Sequence, residues 1–281
     1  MLSAAKYYRK LCPQRTTHER SPPLNIAIIT GASSGLGRAY ARLLDAEYLD
    51  EIWLIARREE RLQELAQELR TSCRIFACDL TQPGVPAILQ ASLGERPDTE
   101  VRWLINAAGF GRLGYTTEIP LAEQLAMIDL NVKATVALTQ LAIPFMSAGS
   151  HIMEIVSCSA FQPIPGLNVY AATKAFLLRY SRALGAELAP QGIIVTAVCP
   201  YWIRDTEFIP LASATDAHHL FRGFPLATTC EEVARRSLRA AKNNIAVCTP
   251  DAISFLHRIL STIIPHKLLM AASTIFHGLH K

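Results

Sequence analysis

The stretch Asn25–Gly37, NIAIITGASSGLG, decides the fold. Its first six residues, Asn25–Thr30, form a short apolar run rich in isoleucine, the pattern of a strand buried on both faces. The glycines that follow end the strand, and from Gly35 to Glu47 apolar residues recur at helical spacing. A strand, a glycine-rich turn and a helix in that order begin a βαβ unit.

Outward from this stretch the alternation repeats. Glu51–Ala56 is a second strand pattern and Glu59–Arg70 a charged amphipathic helix. Arg74–Ala77 and Val101–Ile105 are further strands. Leu121–Met146 is long and mostly apolar, so one helix buried over much of its surface is expected. Ile152–Val156 (strand), Val169–Leu188 (helix) and Ile193–Val198 (strand) come next, and Ile245–Cys248 would close the sheet. Such alternation places parallel strands between two helical layers with right-handed crossovers. The expected fold is an α/β doubly wound parallel sheet, a Rossmann fold, in a single domain.

Composition bounds the rest. A chain of 281 residues suits one large domain, and half of them are apolar, which excludes disorder and collagen-like or coiled-coil character. Seven cysteines with no CxxC pair and no Cys/His ligand spacing point to no metal and to a reducing, cytoplasmic setting. The formal charge of +4 is gathered near the start, at Lys6, Arg9, Lys10, Arg15 and Arg20, which gives no basis for nucleic-acid binding. Residues 1–22 are therefore a basic N-terminal extension, 23–250 the catalytic domain with a substrate loop over 201–229, and 251–281 a helical, hydrophobic C-terminal tail. Leu268, Leu269, Ile275, Phe276 and Leu279 of that tail are expected to cover the pocket or meet a partner subunit. Peripheral membrane contact is less favoured, because histidines and lysines break the apolar surface.

In the glycine turn, Gly31 permits the tight bend, Gly35 admits a pyrophosphate, and Gly37 lets the helix pack close to the sheet; Ser33, Ser34 and Leu36 complete the lining. The second strand ends in Arg57-Arg58, where an NAD site would carry an acid. Arginine there suits the 2′-phosphate of NADP(H), although Arg58 could simply start a solvated helix. Tyr170 and Lys174 stand four residues apart on a predicted helix and share a face. A fixed cation beside a phenol lowers its pKa toward a useful range.

Taken together these motifs resemble the short-chain dehydrogenase/reductase family, over about Asn25 to Thr206. Thr30–Gly37 matches its glycine motif, Asp79-Leu80 its adenine contact, Asn106-Ala107-Ala108-Gly109 its NNAG motif, and Asn131 its helix asparagine. Ser157, thirteen residues before Tyr170, matches its active serine, with Ser159 as a local competitor. The resemblance implies that Tyr170 exchanges a proton with the substrate oxygen and that Ser157 hydrogen-bonds the same atom. It implies that Lys174 holds the nicotinamide ribose and lowers the tyrosine pKa, and that Asn131 orders a water behind it. Two departures stand out: Ala107 replaces an asparagine, and Tyr201 follows Pro200 where the family has glycine. Ile203 is the expected nicotinamide contact beyond that point, with the usual threonine displaced to Thr206. Tyr201 and Trp202 either line the pocket or pack under the loop.

The expected activity is interconversion of a ketone and a secondary alcohol on a small but bulky hydrophobic substrate. A steroid-like molecule comes first and a 3-oxoacyl group second, because Phe110, Ile164, Leu167, Trp202, Phe208 and Phe221 gather around the site. NADP preference leans toward reduction. A non-catalytic NADP-binding regulator or scaffold is the alternative of another class. Family habit implies a homodimer or homotetramer through the long helices.

Overall fold

The computed structural model describes residues 23–218, 220, 221, 223 and 226–276. Its centre is β1 (Leu24–Thr30), where Ile26, Ala27, Ile28 and Ile29 are fully buried on alternating faces. Such a strand needs a helical layer on each side. β2 (Glu51–Ala56), β3 (Ser72–Ala77), β4 (Thr99–Asn106), β5 (His151–Ile155), β6 (Ile194–Val198) and β7 (Val247–Cys248) complete a parallel sheet of order β3-β2-β1-β4-β5-β6-β7.

On one face, α1 (Gly35–Leu44), α2 (Glu59–Glu68) and α8 (Cys230–Lys242) bury Tyr40, Leu44, Leu62, Leu65, Val233 and Leu238 against Ala27, Ile29 and Leu54. The Tyr40 hydroxyl meets the Ser237 hydroxyl at 2.6 Å, so α1 and α8 share a satisfied polar pair inside an apolar layer. On the other face, α3 (Val85–Gly94), α5 (Thr135–Ala142) and α6 (Asn168–Leu188) pack Leu89, Leu93, Leu138, Leu184 and Leu188 onto Ile26, Ile28, Leu104 and Ile152.

Registers align the strand ends that matter. Thr30 pairs with Ile55 on one side and Asn106 on the other, so the residues after β1, β2 and β4 emerge at one edge. The strand order reverses between β1 and β4, which opens the crevice where ligands of such sheets bind.

Two elements differ from the sequence expectation. α3 has no counterpart there; Pro86 near its N-terminus suits a first turn, where its missing N–H costs nothing. Leu121–Phe145 is one continuous helical stretch, but it is not α-helical throughout. It is α4 (Leu121–Ile128), a π-helical turn (Asp129–Ala134), α5, and a short 3₁₀ turn. A π turn inserts a residue and re-aims the side chains beyond it, and such turns concentrate at functional sites. The stretch Leu121–Phe145 is apolar and long enough to cross a bilayer by length and composition, but here its second half packs on the sheet through Leu138, Ala142 and Ile143.

The tail forms α9 (Ala252–Ile263) and α10 (His266–Phe276). Asp251 caps α9 by accepting from Ser254 N and also accepts from Tyr201 N, which ties the tail to the chain after β6. Leu268 is exposed rather than packed over the pocket. The expectations for residues 1–22 and Leu279, and for the side chains of Ile275 and Phe276, lie outside the described residues.

Leu104 is fully buried in the second layer, and truncation there leaves a cavity beneath α5 and α6. Leu104→Ala is expected to lower unfolding stability by about 2–5 kcal/mol in a denaturant titration.

Candidate active site

The turn after β1 is held by backbone packing. Gly31 takes φ +68°, and a methyl group there would lie 3.0 Å from the Ala107 carbonyl carbon and oxygen. A methyl group on Gly37 would collide with the Gly31 carbonyl. The turn, the start of α1 and the end of β4 therefore close on one another only with glycine at both positions. The Thr30 hydroxyl accepts from Ala108 N at 2.9 Å and fastens β1 to the segment after β4.

One cavity of about 780 Å³ starts at this turn. Gly31, Ser33, Ser34, Gly35, Leu36, Gly37, Arg57, Arg58, Asp79 and Leu80 line its first half. Free N–H groups at the start of α1 face it, an arrangement suited to a pyrophosphate. Arg57 lines the cavity and is exposed. Arg58 does more than begin α2. It donates to the Ser33 hydroxyl at 3.2 Å and the Ser34 hydroxyl at 2.9 Å, and it pairs with Glu207 at 2.8 Å. Glu207 also takes Arg61 at 2.7 Å. The Asp79 carboxyl is held below the usual carboxylate range, chiefly by the Thr81 backbone N–H, with Arg57 adding attraction. These residues fit a dinucleotide.

Asn106 is a correction. Its side chain is buried and does not reach the cavity; it donates to the Thr139 hydroxyl at 2.9 Å and to Glu154 Oε1 at 3.0 Å. The first asparagine of the motif is thus spent on joining β4 to α5 and β5.

The second half of the cavity holds the reactive side chains. The paired ends of β5 and β6 bring Ser157 beside Pro200, with Val156 N donating to Val198 O and Cys158 N to Pro200 O. The Ser157 hydroxyl accepts from Ser159 N at 3.1 Å, and it lies close enough to the Tyr170 phenol to favour its ionised form. Ser159 is buried with its hydroxyl unpartnered among the described residues, and it lines the cavity as Ser157 does. Tyr170 packs its ring on Phe208 at 5.3 Å between centroids, and Gly111 leaves room for both rings.

Lys174 is buried one turn along α6. Its ammonium donates to the Ile155 carbonyl at 2.6 Å and lies 5.6 Å from the Tyr170 ring centroid. Burial pulls its pKa down to about 8, against attraction from Glu154. Burial drives the Tyr170 phenol the other way, well above its usual range, with Ser157 opposing. The expected lowering of the tyrosine by the lysine is therefore not the balance among the protein's own groups. Desolvation wins, and Tyr170 is a protonated phenol at neutral pH.

Asn131 sits in the π turn, fully buried. Its amide accepts from Phe110 N at 3.0 Å and donates to Phe110 O at 2.9 Å and the Thr173 hydroxyl at 3.1 Å. It thereby fixes the segment after β4 against α6 one residue from Lys174.

Beyond Tyr170 the wall is apolar: Phe110, Ile164, Leu167, Trp202, Phe208 and Phe221. Tyr201 and Trp202 both line the cavity, as does Ile203, which forms a parallel bridge to Thr228. Thr206, the displaced threonine, joins two contributors that sequence reasoning missed, Glu207 and His257. Thr206 lies against Gly35, with 3.4 Å from its methyl to a methyl placed there. Glu207 holds Arg58, and His257 of α9 lines the far end, set edge-on to Phe161. Only the return of the loop and the tail brings these three to the crevice.

A family model described as short chain dehydrogenase matches residues 25–215. The chain belongs to that family. A sulfoacetaldehyde reductase of Chromohalobacter salexigens is 35% identical over 201 residues, covering 68% of this chain and 77% of that one. A solved short-chain dehydrogenase from Sphingobium yanoikuyae in complex with NADPH superposes with TM-score 0.70 at 29% identity, covering 87% of this chain and 96% of that one. A bulky-bulky ketone specific alcohol dehydrogenase from Comamonas testosteroni gives TM-score 0.67 at 26% identity, covering 90% and 95%. The protein is an oxidoreductase of CH–OH and C=O groups that uses a nicotinamide cofactor; the scaffold alternative is set aside.

Truncating Asn131 would strand the Phe110 N–H and C=O. Asn131→Ala is expected to cost about 1–3 kcal/mol of stability and to depress cofactor-dependent turnover, read by thermal melting and by nicotinamide absorbance.

Proposed function

We propose that the protein is an NADP(H)-dependent reductase of bulky hydrophobic ketones, with a steroid-like carbonyl compound as the first substrate class. The observation that carries this reading is the single cavity in which a phosphate-binding turn, Ser157–Tyr170–Lys174 and an aromatic wall succeed one another. When bound, the nicotinamide supplies the hydride. The Gly31–Gly37 turn holds the pyrophosphate, Arg57 and Arg58 the 2′-phosphate, and Asp79 and Leu80 the adenine side. Lys174 holds the ribose hydroxyls. Ser157 donates to the substrate oxygen, and Tyr170 gives it a proton, for which a protonated phenol is the required starting form.

The apolar end supports the bulky substrate. Phe110, Trp202, Phe208 and Phe221 offer no charge, and His257 is held below the usual histidine range by burial. Among the described lining residues, Arg57 and Arg58 belong to the cofactor end and Lys174 to the ribose site beside Tyr170, which leaves the aromatic end no cation for a small sulfonate such as the substrate named for the Chromohalobacter relative. The ketone enzyme of Comamonas, named for bulky substrates, agrees with this choice.

We also propose a cytoplasmic location, since all described cysteines are free. Pairing as a homodimer or homotetramer would use α4 and α6, where Leu121, Leu125, Ile128 and Phe176 are exposed.

Fluorescence titration is expected to give much tighter binding of NADPH than of NADH. Arg57→Asp should weaken NADPH by about ten- to a hundredfold, the scale of a lost charged hydrogen bond. Equal affinities in the native protein would overturn the phosphate reading. In a panel of steroidal ketones, 3-oxoacyl thioesters and small polar aldehydes, turnover with NADPH should concentrate on the steroids. It should fall by about 10²–10⁴ in Tyr170→Phe while NADPH binding persists. Turnover confined to the small polar aldehydes would sink the substrate assignment.

A further inference from the structure

Glu154 is a carboxylate in a strand that otherwise reads as buried core. Its neighbours on β5 are Ile152, Met153 and Ile155, and it is itself fully buried. Oε1 accepts from Asn106 Nδ2 at 3.0 Å and from the Thr139 hydroxyl at 3.1 Å. Oε2 has no hydrogen-bond partner among the described residues. Two neutral donors do not balance a buried anion, whose desolvation costs several kcal/mol unless a cation faces it.

The groups around it are few. Asn106 of β4, Thr139 of α5 and Ala197 of β6, its sheet partner, are neutral. α6 contributes the Tyr180 phenol and the Lys174 ammonium, both within electrostatic reach of Glu154. Lys174 in turn feels Glu154 and the Cys199 thiol, and burial keeps that thiol protonated. The Tyr170 phenol beside it is protonated as well. The Lys174 ammonium is fixed by the carbonyl of Ile155, the residue next to Glu154 on the same strand.

We propose that Glu154 is a positioning residue for the reaction: its buried carboxylate is the counter-charge that keeps Lys174 an ammonium, while the adjacent Ile155 carbonyl fixes where that ammonium sits. The inference rests on the role given to Lys174 under Proposed function. Burial pushes the Glu154 carboxyl up to about 7 and pulls Lys174 down to about 8, and the attraction of each for the other opposes both shifts. Lys174 loses its proton as pH rises through its folded value, and removal of the carboxylate brings that loss to lower pH.

The test is Glu154→Gln in the full chain labelled with [ε-¹³C]lysine and titrated by NMR without substrate; Lys174→Arg assigns the signal. Glutamine keeps the shape, and the Asn106 amide can turn to offer its unpartnered oxygen. The Lys174 midpoint is expected to fall by about one pH unit or more, and the alkaline limb of NADPH binding should fall with it. Glu154→Asp, which keeps the charge, should recover most of the shift. Should the glutamine variant melt too low, Thr139→Val removes one bond to the carboxylate and should move the midpoint the same way by less. An unchanged midpoint in a folded variant would overturn the proposal and leave the Proposed function untouched. A shifted midpoint with NADPH binding and turnover indifferent to it would instead overturn the role of Lys174.

Discussion

The contact between Gly31 and the Ala107 backbone is the constraint on which the molecule turns. It lies where the strand order reverses, and it requires two backbones to meet with no side chain between them. From that contact the start of α1 faces the crevice, β2 delivers Arg57 and Arg58 to the same edge, and the Thr30 hydroxyl fastens the segment after β4. Each is a consequence of strand register, because parallel strands in register end at one level.

The reactive half is held by a second device, the π turn at Asn131. An unbroken α-helix over Leu121–Met146 would satisfy its own backbone but aim the asparagine elsewhere. The inserted residue lets one amide hold both polar groups of Phe110 and the hydroxyl of Thr173. The backbone beside Lys174 is thereby set by a side chain of the π turn. The electrostatic balance is equally collective. Burial keeps the phenol protonated and weakens the ammonium, and a carboxylate two strands from the glycine turn opposes that weakening.

The apolar end departs most from the family pattern. Tyr201 stands where glycine was expected, and its N–H is taken by Asp251, the cap of α9. The substitution therefore coincides with a tail that comes back to the site and contributes His257 to its wall. Loop and tail together line that end of the cavity.

The sequence by itself determined the sheet, its helical layers, the glycine turn and the pairing of Tyr170 with Lys174. All of these are local patterns: buried strands show as apolar runs, α6 as a helical period, and the turn as glycine spacing. Residue type also marked Arg57 and Arg58 as cationic at the second strand. Only the tertiary structure decided that Asn106 turns away into the core, that Glu207 from the loop holds Arg58, and that a buried Glu154 lies within electrostatic reach of Lys174. It alone gave the sign of the shift at Tyr170. The reason is physical: periodicity records which side of an element is buried, whereas pairing and desolvation depend on which distant segments share the space.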